Sequence, residues 1–321
     1  MNAIVVNAYG GPEALVYQDM PIPTLGPGEA LVRVSAIGVN FIDIYQRMGL
    51  YPGPLPFIAG NEGAGRVEAV ASGAAGASVG DRVAFWNVRG SYAGYVAASV
   101  GKLVKVPNDI DDQSAAAVLL QGMTAHYLTR STFALHKDDA ALVHAAAGGV
   151  GLLLTQMAHH LGACVFGTVS TDEKAALARD AGADEVIVYT RQDFESEVKR
   201  LTSNAGVHVV YDSVGKTTFE KGLDCLRPRG MMVSYGQSSG KAPAIEPLRL
   251  IKGSLFLTRP TLGDYVATPE ELRRRAGEVF GMIERGELHV RIGHVYKLAD
   301  AAQAHRDLEA RKTTGKIILV P

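Results

Sequence analysis

Apolar positions change their period partway along the chain. Up to about residue 120 they fall in short runs suited to half-buried strands: Ile4–Ala8, Leu15–Gln18, Ala30–Ile37, Gly65–Ala71, Arg82–Trp86, Tyr92–Ala98 and Leu103–Val106. Gly10-Gly11-Pro12, Gly26-Pro27-Gly28 and Gly80-Asp81 punctuate these runs as turns. One helix interrupts the mostly-β half, over Phe41–Met48. Asn40 stands where its side chain would accept from the free N–H groups of the first turn.

From Asp111 the spacing becomes helical. Ser114 to Leu120 predicts one helix, Gly122 a break, and Thr124–Arg130 a second helix. Ala140–His144 is short and apolar, suited to a buried strand. The small residues Ala145 to Gly151 follow it, then a helix carrying Leu152, Leu153, Leu154, Met157, Ala158 and Leu161 that Gly162 stops. Five more strands are expected at Ala163–Val169, Glu185–Tyr189, Val207–Asp212, Met231–Gly236 and Ser254–Thr258. Helices at Asp172–Asp180, Asp193–Leu201 and Thr217–Leu226 fit between them. This alternation predicts an α/β domain with a doubly wound parallel sheet, the Rossmann arrangement.

After the sixth strand the pattern changes again. Thr268-Pro269-Glu270-Glu271 is a capping box with Pro at the first helical position, and Leu272, Ala276, Val279, Phe280 and Ile283 mark one helical face. Asp300 is placed to cap a last helix through Ala310, and Gly315–Val320 reads as a final strand. This tail is not a seventh strand–helix unit, so it is expected to complete the first domain. The domains are then 1–121 with 263–321, and 122–262.

The stretch after Ala140–His144 carries the chemistry. Strand, tight small-residue turn and helix form the context of a dinucleotide-binding turn, with Ala146, Gly148 and Gly151 at the three glycine places of G-x-G-x-x-G. Gly148 lets the backbone approach a pyrophosphate and Gly151 lets the helix sit close on the strand. The helix start offers free N–H groups and a partial positive charge. The second strand ends at Thr168-Val169 with no carboxylate, and Ser170 and Lys174 follow. A hydroxyl and an ammonium suit a ribose 2′-phosphate, and Tyr189, at the end of the neighbouring third strand, is placed to donate to it. These residues favour NADPH over NADH.

Bulk properties narrow the class. The chain has 321 residues, enough for two domains with cores of their own, and a net charge of -1, which gives no long-range attraction for nucleic acid or an anionic membrane. No apolar run reaches membrane-spanning length, and Met1 to Val6 reads as a strand rather than a leader. Cys164 and Cys225 fall in apolar contexts and predict no disulfide, in keeping with a cytoplasmic protein.

Gly38-Val-Asn-Phe-Ile-Asp43, Tyr45 with Gly49-Leu-Tyr51-Pro52, His144–Gly151, Val210-Tyr-Asp-Ser213-Val-Gly215, Val233-Ser-Tyr-Gly236 and Leu257-Thr-Arg259-Pro260, with Arg311 and Gly315 at the end, resemble the zeta-crystallin-like quinone oxidoreductases. These are a zinc-free branch of the medium-chain dehydrogenase/reductases, and the motifs run the full length of the chain. The resemblance implies a GroES-like β domain beside the Rossmann domain, an active-site cleft between them, NADPH-dependent reduction of quinones, and a homodimer joined at the sheet edges. Carried onto matching positions, it puts Asn40, Asp43, Tyr45 and Thr124 on the nicotinamide side, and Gly148, Gly149, Val150 and Gly151 under the pyrophosphate. Ser170, Lys174, Tyr189 and Arg311 meet the 2′-phosphate. Ser213, Tyr235, Gly236, Gln237 and Ser238 line the path between, and Leu257, Thr258 and Arg259 close the site. Tyr at 235 and Gln at 237 depart from the family's familiar Phe and Asn.

The zinc-dependent relatives of this family need Cys and His ligands. Here Val39-Asn40 stands at the first Cys, and Gly60-Asn61-Glu62 replaces Gly-His-Glu, so no metal is expected. Reduction of a conjugated carbonyl builds negative charge on its oxygen, and a donor there would help. Tyr45, Tyr51 and Arg259 are the candidates, with Asn40 as an orienting group and a solvent proton as the alternative. An NADPH-dependent alkene or enone reductase shares every one of these features. A crystallin-like NADPH- or RNA-binding protein of low turnover is the non-enzymatic alternative.

Overall fold

A computed structural model describes residues 1–321. The chain forms two compact units. One is Met1–Gln121 with Val266–Gly286 and Val290–Pro321, and the other is Gly122–Tyr265 with Glu287–His289.

The first unit is built on a seven-stranded sheet. Its path runs Ile292–Lys297, Lys316–Val320, Glu29–Val39, Glu62–Val70, Arg82–Trp86 and Leu103–Lys105, and Tyr95–Ser99 also pairs with Glu29–Val39. A small sheet of Leu15–Asp19, Asn2–Val6 and Phe57–Ile58 packs with it around Val32, Ile37, Phe85, Tyr92 and Leu319. The tail returns here because Ile317, Ile318 and Leu319 are buried, with Ile317 opposite Val39 and Leu319 opposite Ile37. That register brings Lys316 to the end of Glu29–Val39, where helix Phe41–Arg47 begins. The Thr268 cap forms as its sequence predicts: its hydroxyl accepts from the Glu271 N–H and Pro269 opens the helix Pro269–Glu284. On that helix Met282, rather than Ile283, is buried with Leu272, Ala276, Val279 and Phe280.

The second unit is a six-stranded, all-parallel sheet in the order Glu185–Val188, Cys164–Val169, Ala140–His144, Val207–Asp212, Leu226–Ser234, Phe256–Thr258. The order reverses direction beside Ala140–His144, which is the switch point of a doubly wound sheet. Helices Gly149–His160, Asp172–Asp180, Phe194–Leu201 and Phe219–Asp224 connect the strands. One expected break is absent: Gly122 does not end a helix. Asp112–Tyr127 is continuous, and a five-residue wider turn, Leu128–Thr132, follows. Ala115 to Leu119 and Met123 are fully buried, and that burial outweighs the roughly 1 kcal/mol a helical glycine costs. No helix is long and apolar enough to cross a membrane. Cys164 and Cys225 are unpaired, and burial pushes the Cys225 thiol up to about 12.

Candidate functional site

In the second unit the turn after Ala140–His144 has the form its sequence predicts. Gly148 is the extended N-cap of helix Gly149–His160 and its N–H donates to the Ala145 carbonyl at 2.9 Å. Ala145 itself is left-handed, at φ 54°. A Cβ on Gly151 would lie 2.2 Å from the Ala145 oxygen and 2.9 Å from the Ala146 Cα, so only glycine lets the helix start this close to the turn. Gly148, Gly149 and Val150 are half-buried at a helix start whose first N–H groups have no intrahelical partner. Backbone donors, a dipole and no side chain in the way fit a pyrophosphate.

Beyond the second strand, Ser170 and Tyr189 are neighbours. Tyr189 N–H donates to the Val169 carbonyl at 3.0 Å, and the Thr190 hydroxyl donates to the Ser170 carbonyl at 2.9 Å. Thr171 caps the helix that carries Lys174, its hydroxyl accepting from the Lys174 N–H. Asp172 is the nearest carboxylate to the strand end, and Arg191 grips it with both ends of its guanidinium, which holds the acid below its usual range. The acid is therefore neutralised by Arg191, a partner that the sequence reading missed. Its position two residues past Tyr189 was the available signal. Arg311, also expected here, lies in the other compact unit, in a left-handed turn at φ 57°.

The loops after the fourth and fifth strands are laced together. Asp212 Oδ1 accepts from the N–H groups of Val214 and Gly215 and from the Thr218 hydroxyl. Ser238 N–H donates to the Ser213 carbonyl, which brings Ser213 beside Tyr235, Gly236, Gln237 and Ser238. Thr258 lies opposite Val233 on the edge strand with Leu257, and Arg259 Nη1 donates to the Ser234 carbonyl at 2.7 Å. Thr124 is buried in helix Asp112–Tyr127.

In the first unit the expected residues join a buried polar network. Asn40, 6% exposed, donates from Nδ2 to the Gly38 carbonyl and to Glu62 Oε2 at 2.8 Å, while its Oδ1 accepts from Gln121 and from Lys316 Nζ at 2.8 Å. All four of its side-chain bonds are thus taken. This corrects one expectation: the Asn40 side chain has no donor left over to orient a carbonyl. Asn40 is the N-cap of helix Phe41–Arg47 in a capping box with Asp43, whose Oδ2 accepts from the Asn40 backbone N–H at 2.8 Å. Asp43, 2% exposed, also accepts from Asn61 Nδ2 at 2.7 Å and from the Tyr92 hydroxyl at 3.1 Å, so its carboxylate is surrounded by protein donors. Burial raises Asp43 to about 6, against the pull of those donors and of Lys316.

The network continues outward. Arg47 donates to His305 Nδ1 at 3.1 Å, which leaves the proton on Nε2, 3.0 Å from the Tyr92 oxygen. Tyr92 then passes its own hydroxyl proton toward Asp43. Burial and Arg47 hold His305 down at about 3, so it stays neutral, and Arg47 pairs with Glu309 at 2.8 Å. Sequence reading missed Lys316, Tyr92, His305, Arg47 and Gln121, and assigned Glu62 no role.

Tyr45 lies on the same helix and meets Tyr51 edge-on, with ring centres 5.6 Å apart. Tyr51 is 42% exposed. At the positions where zinc-dependent relatives carry ligands, Asn61 donates to Asp43 and Gln46, and no group of three or more His, Cys, Asp or Glu is arranged to hold a metal ion.

Family models match in both halves: an alcohol dehydrogenase GroES-like domain over residues 26–108 and a zinc-binding dehydrogenase domain over residues 149–276. A quinone oxidoreductase of Pseudomonas aeruginosa is 50% identical over 318 residues, covering 98% of each chain. A 2-haloacrylate reductase of a Burkholderia species is 42% identical, covering 99% of this chain and 98% of its own. The solved structure of Escherichia coli quinone oxidoreductase complexed with NADPH superposes with a TM-score of 0.98 at 42% identity over the whole of both chains. With a GroES-like sheet, a doubly wound dinucleotide fold and relatives of this closeness along its entire length, the chain belongs to the quinone oxidoreductase branch of the medium-chain dehydrogenase/reductase family.

Proposed function

We propose that the protein is an NADPH-dependent quinone oxidoreductase whose chemistry needs no protein-bound metal. The observation that carries this is the second unit's pair of anion sites. One is the bare helix start at Gly148–Gly151; the other is the group Ser170, Lys174, Tyr189 and Arg191 around a strand end whose nearest acid is already paired. The first fits a pyrophosphate and the second a 2′-phosphate. Bound NADPH supplies hydride. The chain's own residues bind, orient and exclude water.

Asn40 and Asp43 take positioning roles, because their side-chain bonds are made within the protein. They fix the start of the helix that carries Tyr45. Tyr45 and Tyr51 form the acceptor wall, and Arg259 holds the Ser234 carbonyl beside the edge strand. Tyr45, Tyr51 and Arg259 are the candidate donors to a carbonyl oxygen, and the exposure of Tyr51 favours its hydroxyl, with solvent as the other proton source. The Burkholderia relative's name supports a second reading, reduction of an activated alkene, at the same site.

A homodimer is proposed through strand Phe256–Thr258, which ends the sheet. Its Phe256 is exposed, as are Leu248 and Ile251 just before it, and an open edge of this kind invites a second strand. The two unpaired cysteines accord with a cytoplasmic site of action.

The test is titration with NADPH and NADH, followed by rates with benzoquinones, naphthoquinones and alkenals, with and without a chelator. Tight NADPH binding and chelator-insensitive quinone turnover support the reading. Absence of NADPH binding, or activity restored by zinc after chelation, defeats it.

A further inference from the structure

Beside the tyrosine pair, the first unit has a shallow cup lined by Gln46, Tyr51, Gly53, Phe57, Ile58 and Gly60, with Arg89 at its edge. Its floor is apolar and half-buried, at Phe57 and Ile58, and no carboxylate lines it. Around it the surface is oily: Met48, Leu50, Tyr51 and Leu55 are large exposed apolar side chains within eight residues of sequence. The loop beneath is pinned, because the Tyr9 hydroxyl both donates to the Gly53 carbonyl at 2.6 Å and accepts from the Gly53 N–H at 2.8 Å.

Arg89 is the unusual member. It is exposed, and its guanidinium makes no hydrogen bond or ion pair with any protein group. It nevertheless lies over the cup: a Cβ on Gly53 would be 2.9 Å from Nη1. Gln46 is committed to Asn61, so Arg89 and the Tyr51 hydroxyl are the side-chain donors left for an occupant. Lys102, bonded to the Asn87 carbonyl two residues before Arg89, adds positive charge to the same loop.

The cup is too small to enclose a ring, so its apolar floor serves as a shelf, and the unpaired guanidinium at its rim offers a partner to an anionic substituent of a molecule lying against Tyr51. The geometry points to Arg89 as a specificity residue that reads a carboxylate or sulfonate substituent on the acceptor. The preferred substrates are then quinones or enones with an anionic group, ring or alkene toward Tyr45 and Tyr51, and the charge toward Arg89. This rests on the quinone or enone reductase reading above.

The experiment compares kcat/KM for unsubstituted naphthoquinone and its monosulfonate in the wild-type chain, Arg89→Ala and Arg89→Glu. The sulfonate changes the acceptor's own reactivity, and that cancels when each variant's sulfonate-to-neutral ratio is divided by the wild-type ratio. The ratio is expected to fall about fivefold to tenfold in Arg89→Ala, a modest value because the guanidinium is exposed, and further in Arg89→Glu. About 0.5 M KCl should lower the wild-type ratio and lower that of Arg89→Ala less, since only Lys102 remains to be screened there. A ratio unmoved by either substitution overturns the proposal. If the wild-type chain reduces neither quinone, the reductase reading fails, and the anion site is read by binding: naphthalenesulfonate is titrated against the fluorescence of Trp86, the chain's one tryptophan. Weaker binding to Arg89→Ala supports the site, and equal binding overturns it.

Discussion

Lys316 Nζ lies 2.6 Å from Glu62 Oε2, with the side chains 1% and 0% exposed. The pair is 254 residues apart in sequence. Glu62 is satisfied on its other sides by Asn40 Nδ2 and by the Leu120 N–H at 2.5 Å. A buried ion pair gains little over an apolar pair, but removing one partner strands the other charge. Lys316→Met is therefore expected to cost about 3–5 kcal/mol in urea unfolding, and Glu62→Gln a similar amount. The double variant should cost much less than the sum. Additive losses would show that the two charges are not coupled.

Asp43 and His305, joined through Tyr92, oppose each other in their pH dependence. Asp43 is raised from 3.8 to about 6, so its contribution to stability is full below about pH 4 and is lost as pH rises through 6. His305 is a base lowered from 6.5 to about 3, so its contribution is full above pH 6.5 and is lost as pH falls toward 3. Between about pH 4 and 6 the two slopes partly cancel. In His305→Gln, stability should fall with rising pH over that window. In Asp43→Asn it should fall with falling pH. Each change should be roughly 2–3 kcal/mol across the window, because a tenfold change in proton affinity is worth about 1.4 kcal/mol. Urea unfolding at several pH values reads both slopes, and parallel profiles in all three proteins would refute the assignment.

The sequence carried the second unit well because its information is local. Val207–Asp212 and Asp172–Asp180 form with the bounds their periodicity predicts, and the glycine places of the turn are set by contacts within seven residues. The inner network of the first unit was not legible for the opposite reason. Lys316 opens an otherwise apolar strand, His305 sits mid-helix, and neither has a neighbour in sequence that marks it. Only the pairing of Lys316–Val320 with Glu29–Val39 brings Lys316 to Asn40. Asn40 itself was singled out, but its role changed once those distant partners used up its hydrogen bonds. Arg191 was missed although it is close to Tyr189, because its pairing with Asp172 depends on two strands lying side by side.

Cofactor preference should move with the basic group at the end of the second strand. A 2′-phosphate adds charge-assisted bonds that a 2′-hydroxyl cannot make. Lys174→Ala is expected to lower kcat/KM for NADPH about tenfold while changing that for NADH by about twofold or less. Arg191→Ala should do the same more weakly and also release Asp172, which then repels the phosphate. Equal losses with both cofactors would mean that these side chains shape the turn and do not touch a phosphate.

Two glycines in one turn should fail differently. A methyl at Gly151 would sit 2.2 Å from the Ala145 oxygen and 2.9 Å from Ala146 backbone atoms, where nothing flexible can yield. Gly151→Ala must push the helix off the strand and should cost about 2–3 kcal/mol or more of stability, with NADPH binding lost as a consequence. A methyl at Gly148 would meet the Ala145 oxygen at 3.1 Å, a contact that a shift of a few tenths of an ångström relieves. Gly148 is extended, so the substitution brings no left-handed strain. Gly148→Ala should therefore leave the unfolding midpoint nearly where it was and weaken NADPH by about tenfold or more, because the methyl occupies the approach to the helix start. Denaturant unfolding and NADPH titration on both variants separate the two outcomes. A Gly148→Ala protein that binds NADPH as tightly as the wild type would move the pyrophosphate away from this turn.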